Sequence, residues 1–196
     1  MSSQAPKRAT YEDLLSVPEH MIGEIIDGVL YTQPRPASPH AFATSGLLSD
    51  LVGPFQRGRG GPGGWVILFE PELHMGTEVL VPDLAGWRRE RMPRVPNTPF
   101  FELAPDWICE ALSASTARRD RTIKLDVYRR AGVAFVWLLD PIDRTLEVLA
   151  LDGETYRIAA TFLGEVEARA HPFDAVALDL ALLWLPPESG SEAPGA

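Results

Sequence analysis

The fold of this chain turns on one stretch. It opens with Val81-Pro82-Asp83-Leu84-Ala85-Gly86-Trp87, continues through Trp107-Ile108-Cys109-Glu110-Ala111-Leu112, and closes with Asp120, Lys124 and Tyr128 at four-residue spacing before Gly132. Both apolar runs read as strands, and each carries one acid. A carboxylate inside the 107–112 run is costly unless a cation, an arginine or Lys124 compensates it. Pro82 cannot donate to a ladder, so it marks a strand edge or a bulge that re-aims Asp83. Asp120, Lys124 and Tyr128 share one helical stripe beside Ile123 and Val127. That stripe sets Lys124 at the border of a buried face, within reach of both acids. An ordinary surface pair between Asp120 and Lys124 explains the lysine nearly as well.

Working outward, the pattern is mixed α/β. Thr10 and Asp13 form a helix start that ends near Pro18. Residues 24–31 read as a hairpin around Asp27-Gly28. Ser38-Pro39 supplies a cap and an N1 proline for a helix over about 40–55. Residues 57–64 are a glycine-rich loop, and 65–69 and 79–87 are strands. The four-proline segment 88–105 is irregular. Ser115 or Thr116 caps a helix to about Arg130, with Gly132 just beyond its end. Residues 133–139 form a continuous apolar run, the mark of a central strand. Residues 144–150 and 155–162 make a meander, and 179–185 a short helix. The expected organisation is a flexible N-terminus (1–9), one domain (10–185) and a disordered tail (186–196).

Composition narrows the classes. The chain has 196 residues, 45% of them hydrophobic, enough for one core. It lacks an apolar run of about 18 residues, and its start has no secretory signal, so no membrane partner and a cytoplasmic location are expected. One cysteine excludes an internal disulfide, and four scattered histidines lack zinc spacing. The net charge is −9, which argues against a broad polyanion-binding surface. Yet residues 88–130 hold ten bases against six acids, a distribution compatible with a polyanion approaching there and equally with an ordinary solvated loop and helix face.

Asp83 and Glu110 are hard oxygen donors of the kind Mg²⁺ takes, one or two carboxylates beside a substrate phosphate. With a lysine they suit phosphodiester cleavage. Glu72, before the Asp83 strand, is a candidate accessory ligand or a solvent-facing acid. Glu24 shares a strand face with Ile22 and Ile26 and is a candidate accessory acid. Asp27 reads as the turn residue. His40 reads as a first-turn helix residue, with a substrate contact as the lesser alternative, and His74 as a loop residue. No Ser-His-Asp arrangement and no Gly-Lys-Ser/Thr phosphate loop is present.

Taken in order, these segments resemble a known pattern. Pro82-Asp83 followed by Glu110-Ala111-Leu112 looks like the PD-(D/E)XK nuclease signature, with leucine where lysine normally stands. The chain more closely resembles the bacterial Uma family of putative restriction endonucleases, over about residues 10–185. The resemblance rests on Glu24-Ile25-Ile26-Asp27-Gly28, Ser38-Pro39-His40, Val81-Pro82-Asp83-Leu84, the run from Cys109 to Thr116, and Asp120, Lys124, Tyr128 and Gly132 to Pro141. Ala111 and Ala114 depart from the usual valine and proline.

The resemblance implies a restriction-endonuclease-like α/β fold: a mixed central sheet flanked by helices, with an N-terminal β-hairpin and a C-terminal β-meander. It implies Asp83, Glu110 and Lys124 as catalytic residues, the lysine having moved to the helix. Mg²⁺, replaceable by Mn²⁺, would be held by Asp83, Glu110 and the Ala111 carbonyl. It further implies DNA as substrate, and double-strand cutting would suggest a homodimer. The rival readings are a catalytically silent scaffold or binding protein, and a hydrolase of smaller phosphate esters.

Overall fold

The computed structural model describes residues 8–186. The expected flexible start and disordered tail therefore lie outside the described residues, apart from residues 8, 9 and 186. Helix α1 (Tyr11–Leu15) opens with a complete capping box between Thr10 and Asp13. Strands β1 (Met21–Ile26) and β2 (Val29–Pro34) form the expected hairpin. Asp27 and Gly28 both take positive φ, at 52° and 77°, as a type I′ turn requires. Helix α2 (Ser38–Leu51) starts two residues before the expected His40, so Ala37, not Ser38, is its cap. A π-helical turn, Val52–Gln56, extends it.

The expected strand over 79–87 is two strands in two sheets. After β3 (Trp65–Phe69) and β4 (Leu73–Met75), strand β5 (Glu78–Leu80) belongs to a four-stranded sheet of order β2-β1-β5-β4. Strand β6 (Leu84–Arg88) belongs to a different, six-stranded sheet. The joint is Val81-Pro82-Asp83, where proline's missing N–H interrupts the ladder. Asp83 thus sits on a crossover between sheets and not inside a strand. His74, expected in a loop, lies on β4.

The larger sheet runs β10-β9-β8-β7-β6-β3, with β7 (Trp107–Ala111), β8 (Phe135–Asp140), β9 (Thr145–Asp152) and β10 (Thr155–Leu163). Only β7 and β8 pair in parallel, which makes the sheet mixed. These two central strands are the apolar runs of the sequence, covered on both faces. On one face Trp107, Cys109, Ala111, Trp137 and Leu139 pack with Ala43, Leu47 and Leu51 of α2. Gly86 faces this layer, and a Cβ there would lie 3.0 Å from Trp107 and 3.3 Å from Trp65. On the other face Ile108, Val136 and Leu138 meet Val127 and Tyr128, and also Ile26, Leu73 and Leu80 of the smaller sheet.

The expected helix to Arg130 is present as one helical stretch over 117–130. It comprises α3 (Ala117–Arg119), a π-helical turn (Asp120–Lys124) and α4 (Leu125–Arg130). Thr116 is its cap residue but makes no side-chain capping bond, and Gly132 follows with φ of 73°. Beyond the meander, the pair β11 (Glu167–Ala168) and β12 (Leu178–Asp179) leads into a 3-10 turn, Leu180–Leu183, capped by Asp179. No helix among the described residues is long and apolar enough to cross a membrane.

Much of the basic segment is engaged locally. Arg91 pairs with Asp106 at 2.8 Å, Arg129 and Arg130 with Asp126 at 2.8 and 3.0 Å, and Arg121 with Glu147. Arg89 donates to the Trp65 carbonyl at 3.2 Å, and Gln56 accepts from the Ile67 N–H at 2.7 Å. Side chains thus occupy outward backbone groups of β3, an edge strand, and blunt it against pairing with another chain.

Candidate functional site

Side chains alternate across β7, so Glu110 points away from Trp107, Cys109 and Ala111. It faces the 117–130 helix and the smaller sheet. There the π-helical turn carries Asp120 and Lys124, α4 carries Tyr128, and β1 carries Glu24. Lys124 Nζ lies 2.7 Å from Glu110 Oε1, 2.9 Å from Glu24 Oε1 and 3.8 Å from Asp120 Oδ1. Tyr128 donates its hydroxyl to Glu110 Oε1. Lys124 is 2% exposed and Glu24 1%, so the surface-pair reading of Lys124 is overturned. The sequence spacing was compatible with either. Only the docking of β1 over the helix buries the lysine.

Three carboxylates around one ammonium leave the cluster short of positive charge. Arg119 contributes from the edge, 3.6 Å from Glu24 Oε2, while donating to Gln33 and lying over the Tyr31 ring. Glu24 Oε2 is buried and accepts no hydrogen bond. Burial pushes the Glu110 pKa well above the ordinary carboxylate range; Lys124 opposes this, and Asp120, Asp83 and Glu24 add to it. Burial raises Asp120 as well. Burial disfavours the Lys124 ammonium, but Glu110, Glu24 and Asp120 outweigh it and hold the lysine protonated. The Tyr128 hydroxyl is pushed up by burial and by Glu110.

Asp83 reaches the same place from the crossover. Its Oδ2 accepts the Ala111 N–H at 2.7 Å, and its Oδ1 lies 2.6 Å from His40 Nε2. Asp83, Glu110, Ala111 and Lys124 line one cavity of about 210 Å³. Arg35 and Pro36 of the β2–α2 connection, and Ser113, Ser115 and Thr116 beyond β7, also line it.

Glu72 is not among the lining residues. Its Oε1 accepts from the Tyr11 hydroxyl at 2.8 Å and pairs with His74 Nε2 at 2.7 Å, which ties α1 to β4. Glu70, two residues earlier, lines the cavity instead, and burial raises its pKa against the pull of Arg35. Its φ of 43° turns the chain out of β3, a deviation that no feature of Glu70-Pro71 announces. His40 is another residue of the cavity that the sequence does not single out. Its proximity to Ser38-Pro39 placed it on a helix but gave no sign of Asp83, 43 positions away.

The Uma2 family model, Putative restriction endonuclease, matches residues 8–181. The chain belongs to the Uma2 family. Among solved structures the Uma2 chain is similar to a crystal structure described as a putative nuclease belonging to DUF820 from Anabaena variabilis ATCC 29413. The two share 23% identity and a TM-score of 0.72 over 90% of this chain and 97% of the other. That likeness establishes the shared fold. No curated protein matches the sequence.

The donor set fits a hard divalent cation. Four acids, Glu70, Asp83, Glu110 and Asp120, line the cavity against Arg35, His40 and Lys124, so hard oxygen donors and negative charge predominate there. Among the described residues no three His, Cys, Asp or Glu side chains form a metal cage of their own. Such an ion would therefore complete its shell with a carbonyl, waters or substrate oxygens, the usual habit of Mg²⁺.

Proposed function

We propose that this Uma2 protein is a Mg²⁺-dependent DNA endonuclease, with Mn²⁺ as a substitute, that hydrolyses phosphodiester bonds at Asp83, Glu110 and Lys124. The observation that carries the reading is convergence: a crossover acid, a strand acid and a helix lysine open into one cavity. Asp83, Glu110 and the Ala111 carbonyl would hold the ion, which supplies Lewis-acid polarisation of the phosphate and a more acidic water. Lys124, kept protonated by its three carboxylates, holds Glu110 in place and presents positive charge where the scissile phosphate gains negative charge. Tyr128 fixes the same Glu110 oxygen. Arg35 and the Ser113 and Ser115 hydroxyls supply donors for the backbone phosphates. Glu24 acts as an accessory acid through Lys124, whereas Glu72 belongs to the α1–β4 contact.

The silent-scaffold alternative draws on one specific observation: Lys124 is committed to Glu110 and Glu24, as in a structural ion pair. Nicking of plasmid DNA with Mg²⁺ or Mn²⁺ separates the two. The wild type cuts, and Asp83→Asn and Glu110→Gln each lose activity by about 10²-fold or more, while circular dichroism shows them folded. A wild type that neither binds a divalent ion by calorimetry nor cuts is the scaffold. A homodimer, proposed for cutting both strands, is read from sedimentation of the same sample.

A further inference from the structure

We infer that His40 is a positioning residue whose imidazole fixes the Asp83 carboxylate in the orientation that receives the divalent ion. The inference rests on the metal-dependent reading and deepens it.

Asp83 needs outside support. It stands on the Val81-Pro82-Asp83 crossover, where neither sheet's ladder governs its side chain. Its backbone is anchored through its carbonyl, which accepts the Glu70 N–H at 2.9 Å. The side chain is gripped at both oxygens by donors from opposite sides: the Ala111 N–H at 2.7 Å on Oδ2, and His40 Nε2 at 2.6 Å on Oδ1. One donor would leave the carboxylate free to pivot. Two donors on two oxygens set its plane. A carboxylate has about four acceptor positions, so each oxygen keeps one for a cation. The hydrogen bond to a carboxylate selects the tautomer with hydrogen on Nε2.

His40 is suited to this task because its own platform is rigid. It is the third residue of α2, and Thr44 Oγ1 donates to its carbonyl at 2.8 Å. The next turns of α2 bury Ala43, Leu47 and Leu51 without exposure against the central sheet. The imidazole therefore couples the packing of α2 to the acid on the crossover. Both side chains line the cavity and are 13% exposed, close enough to its opening for an ion to reach Asp83. A histidine present only to begin a helix has no need of a carboxylate partner in the candidate site. Outer groups that orient a metal-binding residue commonly change metal affinity by about 10–100-fold when removed.

The test is calorimetric titration of Mn²⁺ alone into the full chain and into His40→Ala, His40→Asn and His40→Gln. The glutamine amide reaches the position of Nε2, and the shorter asparagine amide does not. Expected are about 10–100-fold weaker Mn²⁺ binding for His40→Ala and His40→Asn, and recovery of most of the affinity in His40→Gln. At saturating Mn²⁺ the alanine variant should regain most of its DNA cleavage, because the loss lies in ion affinity and not in kcat. Wild-type affinity in His40→Ala overturns the inference, and so does tighter binding, which would make His40 a competitor of the ion. If His40→Ala fails to fold, equal affinities in the asparagine and glutamine variants overturn it. A wild type that binds no Mn²⁺ overturns the metal-dependent reading itself, and the inference with it.

Discussion

Replacing Lys124 with methionine keeps the length of the side chain and removes its charge from the most buried part of the site. Lys124 stands 2.7 Å from Glu110 and 2.9 Å from Glu24, all three nearly without exposure. Removing one partner of such a pair costs about 3–5 kcal/mol, because the other is left buried and uncompensated. The variant can escape by protonating Glu110. That costs about 1.4 kcal/mol for each pH unit above an unfolded pKa of about 4.3, or about 5 kcal/mol at pH 8 and about 1 kcal/mol at pH 5. The two routes give the same ceiling.

The sign follows from the direction of the shift. The folded pKa of Glu110 already lies above its unfolded value, through burial. Its support for the fold is therefore complete below the unfolded pKa and is lost as pH rises through the folded one. Lys124 is the main group holding that folded pKa down, so without it the loss continues to higher pH. Urea unfolding followed by tryptophan fluorescence reads this directly, since all five tryptophans are buried. We expect Lys124→Met to be about 2–5 kcal/mol less stable than wild type at pH 8 and within about 1.5 kcal/mol at pH 5. An equal difference at both pH values, or one below about 1 kcal/mol at pH 8, refutes the buried ion pair as argued.

Two further outcomes follow from neighbouring features. Glu72→Ala should lose about 1 kcal/mol through its bonds to Tyr11 and His74, yet bind Mn²⁺ like wild type; weakened Mn²⁺ binding by calorimetry would return Glu72 to the site. Gly86→Ala should lower thermal stability by about 1–3 kcal/mol, because its methyl enters the gap between Trp107 and Trp65; an unchanged melting temperature would show that the aromatic layer gives way.

Local chemistry made most of the elements legible. Thr10 with Asp13, Asp27-Gly28, and Gly132 are positions where capping or positive φ constrains the chain within a few residues, and the structure follows them. The apolar runs of β7 and β8 announced central strands because strands covered on both faces have no polar side to show. The same reading failed at 79–87, where apolar residues on both sides of Pro82-Asp83 belong to two sheets. Pro82 signalled an interruption, but whether it bends one strand or joins two depends on what packs on each side.

The site divides along the same line. By itself the sequence determined that Glu110 needs a cation, that Asp83 follows a break in pairing, and that Asp120, Lys124 and Tyr128 share a stripe. Each follows from neighbours within four residues. Only the tertiary structure decided that Glu24 meets Lys124 across 100 residues, that His40 rather than Glu72 attends Asp83, and that Glu70 lines the cavity. These contacts arise where the small sheet and α2 dock on opposite faces of the central sheet. Hydrophobic burial sets that docking, and it is non-directional. It leaves no mark at the polar residues it brings together.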